Sequence, residues 1–128
     1  MPQAKRIADL SGVLCAVENG REVPFAIRRV YWLDQLSPQH ARGFHAHRTL
    51  LQAMFCLRGR CDLLVDDGKT RQSTRMDTSD KGVLIDKMIW HEMHSFSSDC
   101  LLLVLASDYY DEADYIRDYD EFLQAVDN

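Results

Sequence analysis

Arg42-Gly43-Phe44-His45-Ala46-His47-Arg48, followed by Gln52 and Gly59, is the stretch that decides how the chain is read. Its two histidines stand two residues apart, just after a glycine and just before an apolar run. On an extended strand, residues i and i+2 point to the same face. His45 and His47 would therefore aim both imidazoles at one place. That asks for a metal, a substrate or a buried hydrogen-bond network. Histidine titrates near neutrality and can take and return a proton. Two core histidines beside Arg42 and Arg48 would be costly to bury without partners, which favours a functional pair.

The segments around this stretch read as short strands. Val13 to Val17, the turn Glu18-Asn19-Gly20-Arg21 and Phe25 to Leu33 suggest a hairpin, because Asn and Gly both tolerate positive φ. Pro24 suits the start or edge of the second strand. Alternation there puts Phe25, Ile27, Arg29, Tyr31 and Leu33 on one face. A charged and a phenolic residue on that face suggest either a lined cavity or an edge strand whose Arg29 reaches solvent. Downstream, Leu50 to Leu57, Cys61 to Val65, Lys69 to Thr74 around Asp66-Asp67-Gly68, Val83 to Ile85 and Cys100 to Ala106 continue the pattern. Tyr115, Ile116, Tyr119, Phe122, Leu123 and Val126 follow a helical period instead. That predicts a helix over about 111–126 capped by Asp111, which packs on the barrel and takes no part in the chemistry. Many short strands with one terminal helix indicate an all-β barrel or sandwich.

The bulk numbers restrict the function classes. A chain of 128 residues makes one domain, expected here as a β-barrel over about 7–107 plus the helix. The net charge of −5 argues against nucleic acid. Eight acids and one base lie between Asp108 and Asn128, which leaves the remaining residues at +2. Arg28, Arg29, Arg42 and Arg48 cluster near the histidines and suit a small anionic ligand. The four cysteines form no CxxC pair. No apolar run approaches the ~20 residues of a membrane helix, and Met1 to Leu10 lacks a signal-peptide pattern. The expectation is a cytoplasmic protein with reduced thiols and no membrane partner.

The spacing at the histidines resembles the first motif of the cupins: HxH, four residues, Glu, six residues, Gly. Here His45-x-His47, Gln52 and Gly59 keep that spacing, but Gln52 replaces the carboxylate. A neutral amide is a poor ligand for a hard dication. In the second motif Met88 and Trp90 occupy the turn positions, and His94 is one residue off register. A metal through His45, His47 and His91 or His94 is therefore less favoured than none. One of His91 and His94 is expected to share the cavity.

A wider resemblance covers about Leu10 to Leu123. Pro24-Phe25-x-Ile-x-Arg29-Val-Tyr31, Arg42-Gly43-x-His45-Ala46-His47, Trp90-x-Glu92-Met93, Phe96-Ser97, Leu102 to Ser107 and Asp114-Tyr115-Ile116-Arg117-Asp118-Tyr119 together resemble the nucleotide-sugar 3,4-ketoisomerases. The resemblance implies a cupin-type jelly roll without metal or other cofactor, and a homodimer that exchanges N-terminal strands. It implies conversion of dTDP-4-keto-6-deoxyglucose into a 3-keto-6-deoxyhexose, ahead of an aminotransferase that makes 3-amino-3,6-dideoxysugars for O-antigens, S-layer glycans or antibiotics. His45, His47 and Tyr31 become the catalytic candidates. Arg29, Arg42, Gly43, Arg48, Gln52, Trp90 and His94 become the substrate-binding candidates. Moving the ketone removes the C3 proton, forms an enediol and protonates C4. A galacto product receives its C4 hydrogen on the face that lost the C3 hydrogen, and is favoured slightly over gluco. A metal-dependent cupin enzyme and a non-catalytic nucleotide-sugar-binding module are the alternatives.

Overall fold

A computed structural model describes residues 2–127. The strands in chain order are β1 (Lys5–Asp9), β2 (Gly12–Ala16), β3 (Arg29–Leu33), β4 (Arg42–His47), β5 (Gln52–Arg58), β6 (Cys61–Asp66), β7 (Arg71–Met76), β8 (Gly82–Ile85), β9 (Trp90–His94), β10 (Leu101–Ala106) and β11 (Tyr115–Ile116). A short 3-10 turn (Glu112–Asp114) precedes β11, and one helix, α1 (Tyr119–Val126), follows it. Two antiparallel sheets, ordered β3-β10-β5-β8 and β11-β4-β9-β6-β7, face each other as a jelly roll. The all-β cupin-type architecture with a C-terminal helix is as the sequence indicated.

Strand alternation separates three apolar layers. Between the sheets lie Met54, Cys56, Cys61, Leu63, Met93, Leu102 and Val104, with Tyr31 and Leu33 packed against them. The other face of β5 and β10 turns outward. There Ala53, Phe55 and Leu105 are covered by Ala4, Val23 and Phe25 from the N-terminal segment. The outer face of the second sheet, at Ala46 and Trp90, is covered by Ile116 and Phe122. Among the described residues, no helix is long and apolar enough to cross a membrane.

Two local expectations are corrected. The hairpin does not turn at Asn19-Gly20: β2 pairs back onto β1, with Asp9 opposite Gly12. Arg21 N still donates to Glu18 O in a turn (3.0 Å), but the chain beyond it does not form a second strand until Arg29. Pro24 has no N–H for a ladder, and Val23 and Phe25 are drawn into the layer over β5 and β10. The helix expected over 111–126 begins only at Tyr119. Asp118 caps it by accepting Glu121 N at 3.0 Å. Tyr115 and Ile116 extend instead and pair with His47 and Ala46, which makes this segment part of a sheet and brings it against the histidines.

Candidate active site

The two sheets part at one end to form a cavity of about 530 Å³. β3 contributes Arg29 and Tyr31, β4 contributes Arg42, Gly43, Phe44 and His45, and β9 contributes His91. A bulge shapes the β4 wall. The register against β9 shifts between Gly43 and His45, and Gly43 and Phe44 both adopt positive φ (96° and 60°). A Cβ on Gly43 would lie 2.9 Å from the His91 carbonyl, so only glycine fits. The bulge also turns the Gly43 carbonyl toward its own histidine, 3.0 Å from His45 Nδ1. Gly43 thus acts through the backbone.

Three imidazoles converge. His45 and His91 are cross-strand partners, with ring centroids 4.6 Å apart. His47 lies one step along β4, 5.0 Å from His45 by centroid. One nitrogen from each ring lies within 4.8 Å of the others. The Nδ1 atoms of His45 and His91 face the carbonyls of Gly43 (3.0 Å) and Ile89 (3.2 Å). An Nδ1–H donated to those carbonyls leaves each Nε2 with its lone pair. His47 is 2% exposed, with Nδ1 3.4 Å from Asp114 Oδ2. That is an ion-pair distance without hydrogen-bond geometry, since neither ring nitrogen of His47 has a hydrogen-bond partner among the described residues.

Burial sets the charge state. Desolvation, reinforced by His45, pushes His47 down to about 4 against the opposing pull of Asp114. Desolvation likewise takes His91 down to about 3 and lowers His45. At neutral pH all three rings are neutral and accept protons. Tyr31 goes the other way: burial raises its phenol to about 12, so it stays protonated. Gln52 Nε2 donates to Tyr31 Oη at 2.6 Å. That bond fills an acceptor site of the phenol and leaves its proton free to donate elsewhere.

The tail supplies the remaining wall. Tyr115, paired with His47 across β11–β4, sets its ring edge-on to His47 at 4.4 Å and tilted against His45 at 4.9 Å. Arg117 lies over Tyr115 (4.3 Å) and is held by Glu112 through Nε at 2.7 Å and Nη2 at 2.9 Å. Arg29 lies over Tyr31 at 5.0 Å and over Tyr110 at 5.8 Å. The residues lining the cavity thus include Arg29, Arg42 and Arg117 and no carboxylate.

That charge pattern also answers the metal question raised by a cupin-type fold. Three neutral imidazoles gather, but Gln52 stands where a carboxylate ligand would be and bonds to Tyr31 instead. A dication entering this cavity meets Arg29, Arg42 and Arg117 in its wall and no carboxylate there to ligate it. The residues suit an anion and do not fit a resident divalent metal, so no chemical step is derived through one.

Of the expected site residues, Arg29, Tyr31, Arg42, Gly43 and His45 line the cavity, with His47 and Gln52 buried directly behind. Trp90, His94 and Arg48 do not reach it. Trp90, Glu92 and His94 share the opposite face of β9, where Trp90 Nε1 and His94 Nε2 both bond Glu92 at 2.8 Å. Trp90 packs on Tyr119 and Phe122 beneath α1. His91, on the inward parity, takes the place expected of His94. Arg48 is exposed and pairs with Glu121 at 3.1 Å. The sequence reading missed Tyr110, Asp114, Tyr115 and Arg117 as a group. The signal for them was Asp118-x-x-Glu121, a capping pattern that starts the helix later and frees the segment before it.

Fold and site together define a cupin-type barrel whose cavity gathers imidazoles and arginines. The family model described as "FdtA: WxcM-like, C-terminal" matches residues 1–127. The TDP-4-oxo-6-deoxy-alpha-D-glucose-3,4-oxoisomerase of Aneurinibacillus thermoaerophilus is 48% identical over 122 residues, 95% of this chain and 88% of its own. The crystal structure of a 3,4-ketoisomerase from Helicobacter canadensis superimposes with a TM-score of 0.96 at 41% identity, covering 99% of this chain and 96% of that one. The WlaRB TDP-quinovose 3,4-ketoisomerase of Campylobacter jejuni gives 0.92 at 46% identity, covering 96% and 95%. The chain belongs to this FdtA/WxcM-like family and is a nucleotide-sugar 3,4-ketoisomerase.

Proposed function

We propose that the chain converts dTDP-4-keto-6-deoxy-D-glucose into the galacto-configured dTDP-3-keto-6-deoxyhexose by histidine acid/base catalysis without a cofactor, yielding the 3-ketone that an aminotransferase would accept. The observation that carries the reading is the cluster of neutral imidazoles on one side of a cavity lined by arginines. His45 and His47 transfer the carbon-bound proton, and Tyr31 handles the oxygens. The C3–H bond breaks as an imidazole nitrogen takes the proton, and the electron pair forms the C3–C4 enediolate. Tyr31 supplies a proton to O4 as charge develops there. The imidazolium returns its proton to C4, and the C3 hydroxyl proton restores the Tyr31 phenol as the new ketone forms. Arg29 and Arg42 are the diphosphate contacts among the residues first expected, and Arg117 joins them from the tail.

The grouping of the bases supports the galacto reading. His45, His47 and His91 stand together, so the proton leaves and returns on one ring face, which gives the galacto product. The Campylobacter relative is named for TDP-quinovose, a gluco-configured sugar, so family membership alone does not choose. Incubation with dTDP-4-keto-6-deoxyglucose in D2O, followed by NMR, tests both points. The expected product is a C3 ketone carrying a new C4 hydrogen with a small H4–H5 coupling, and some of that hydrogen is protium carried over from C3. A large diaxial coupling would overturn the galacto assignment, and recovery of unchanged substrate would overturn the reaction.

The same reading includes a homodimer that exchanges N-terminal strands. The β1–β2 hairpin exposes Ile7, Leu10, Val13 and Leu14, while β3, at the edge of its sheet, exposes Val30 and Trp32. An apolar hairpin with no cover of its own suits the open edge of a second copy. Light scattering should give twice the 14.8 kDa chain mass, and a monomer would refute the exchange.

A further inference from the structure

We propose that Asp114 is a positioning residue for His47. Its carboxylate would accept the His47 Nδ1–H, hold the ring as the tautomer whose Nε2 is free, and support the imidazolium formed when Nε2 takes the C3 proton. The inference rests on the reading of His47 as a proton-transfer residue. It goes further in distinguishing His47 from the other two imidazoles.

The geometry around Asp114 carries it. Its Oδ1 accepts Thr49 N at 2.9 Å and Thr49 Oγ1 at 2.8 Å, and its Oδ2 accepts Leu50 N at 3.1 Å. Its own carbonyl accepts Arg48 N at 2.9 Å. The carboxylate is therefore clamped across the end of β4 and cannot swing to solvent. A carboxylate oxygen has more than one lone-pair site, so Oδ2 retains capacity for a further donor. The group it faces is His47 Nδ1, 3.4 Å away, on a ring whose nitrogens have no other partner. Catalytic hydrogen bonds are often long before substrate binds and tighten afterwards. His45 and His91 present Nδ1 to neutral carbonyls. Of the three, only His47 has a carboxylate facing its Nδ1; Glu112 also acts on His45 but is already bonded to Arg117, and an anion stabilises the imidazolium far more than a carbonyl dipole does. The other groups facing His47 are His45 on its own strand, His91 on β9, Arg29 on β3 and Tyr115 on β11. Arg29 opposes the imidazolium, which makes the carboxylate on the other side more necessary.

A merely structural Asp114, tying the β4–β5 turn, would leave the tautomer alone. Asparagine at this position turns its NH2 either toward Thr49 or toward Leu50 N and His47, and in either orientation one backbone N–H loses its acceptor. In the second case it donates to His47 Nδ1 and forces the proton onto Nε2. The experiment is 15N-histidine NMR on the full chain with dTDP bound, with kinetics alongside. Wild type should show His47 protonated at Nδ1. Asp114→Asn should show proton density moved to Nε2 and a kcat loss on the order of 10²–10⁴-fold, with KM within about 3-fold. The acid limb of its kcat/KM profile should move to lower pH, because the group that raises the His47 pKa is gone. Asp114→Glu should recover part of the rate. Wild-type His47 protonated at Nε2 overturns the proposal without need of any variant, and so does Asp114→Asn with normal kcat. Normal turnover in His47→Asn would remove the reading beneath it, whereas an inactive His47→Asn beside a normal Asp114→Asn removes this inference alone.

Discussion

At one end of the space between the sheets, Cys56, Cys61 and Cys100 gather with Leu63, Phe96 and Leu102, all at 3% exposure or less. At the other end β3, β4 and β9 open onto Tyr31, His45 and His91, with His47 buried behind them. The same two sheets build both ends, yet they satisfy their polar groups differently. Among the described residues, the buried side-chain atoms without a hydrogen-bond partner are Arg29 Nε, both nitrogens of His47 and Gln52 Oε1. All four belong to the open end. Buried polar atoms are nearly always paired in folded proteins, and an orphan costs about 1–3 kcal/mol. The closed end is satisfied within itself, and the open end keeps its buried polar atoms unpaired.

Single substitutions should separate the two ends. His47→Asn is expected to lower kcat by on the order of 10³-fold or more, with dTDP affinity kept within a few-fold, because the base is lost and the arginines remain. Turnover assays and calorimetric titration with dTDP read the two quantities. Leu102→Ala at the closed end should do the reverse. It should lose about 2–5 kcal/mol in urea unfolding and keep kcat at 25 °C. A kcat loss in Leu102→Ala matching that of His47→Asn would mean the ends are not independent.

Tyr31→Phe cuts less deeply. Removing the phenol deletes the donor to O4 and leaves Gln52 Nε2 without its acceptor. The expected kcat loss is about 10²-fold, the usual scale for one acid/base or oxyanion donor. Unchanged kcat would move the O4 donor elsewhere.

What the sequence made legible follows from how local each signal is. The HxH parity on β4 and the apolar alternation of β5 and β10 are properties of neighbouring residues, and they placed the barrel and the histidine pair. The face of β9 was equally legible by parity. His91 and Met93 point one way and Trp90, Glu92 and His94 the other, yet family motif residues drew attention to the outward set. The tail was not legible from periodicity, because Tyr115 and Ile116 satisfy a helical stripe and a two-residue strand equally well. Only pairing with β4, a contact over a separation of nearly seventy residues, decides between them. Asp114 and Arg117 enter the site as a consequence of that pairing.

Acidity offers a graded probe of the open end. Burial holds the His47 pKa at about 4 and that of His91 at about 3, both below the ordinary 6.5. Between these values and 6.5 the unfolded chain binds more protons than the folded one. Stability is then fully present above pH 6.5 and falls as pH drops through this window, by about 1.4 kcal/mol per pH unit for each buried ring. Urea midpoints measured from pH 7 to pH 4 should decline progressively. His91→Gln should flatten the slope. A flat profile in wild type would mean the imidazoles are solvated and the open end is not desolvated as described.

The smallest expected effect tests the boundary of the site. Arg48 follows the histidine pair directly and looks in sequence like a diphosphate contact, but its position after His47 turns it away. Its side chain is 46% exposed and meets Glu121, itself 56% exposed, at 3.1 Å on α1. An exposed pair of this kind contributes about 0–1 kcal/mol and is screened by salt. Arg48→Ala should therefore leave KM for the nucleotide sugar within about 2-fold and shift stability by less than about 1 kcal/mol. Arg42→Ala, one turn of the bulge away and lining the cavity, should raise KM well beyond that, because a charge-assisted contact to a diphosphate contributes about 1.5–3 kcal/mol. Equal KM changes in the two variants would mean that Arg48 swings inward when substrate binds. In that case the line between the site and the α1 surface would have to be drawn on the far side of β4.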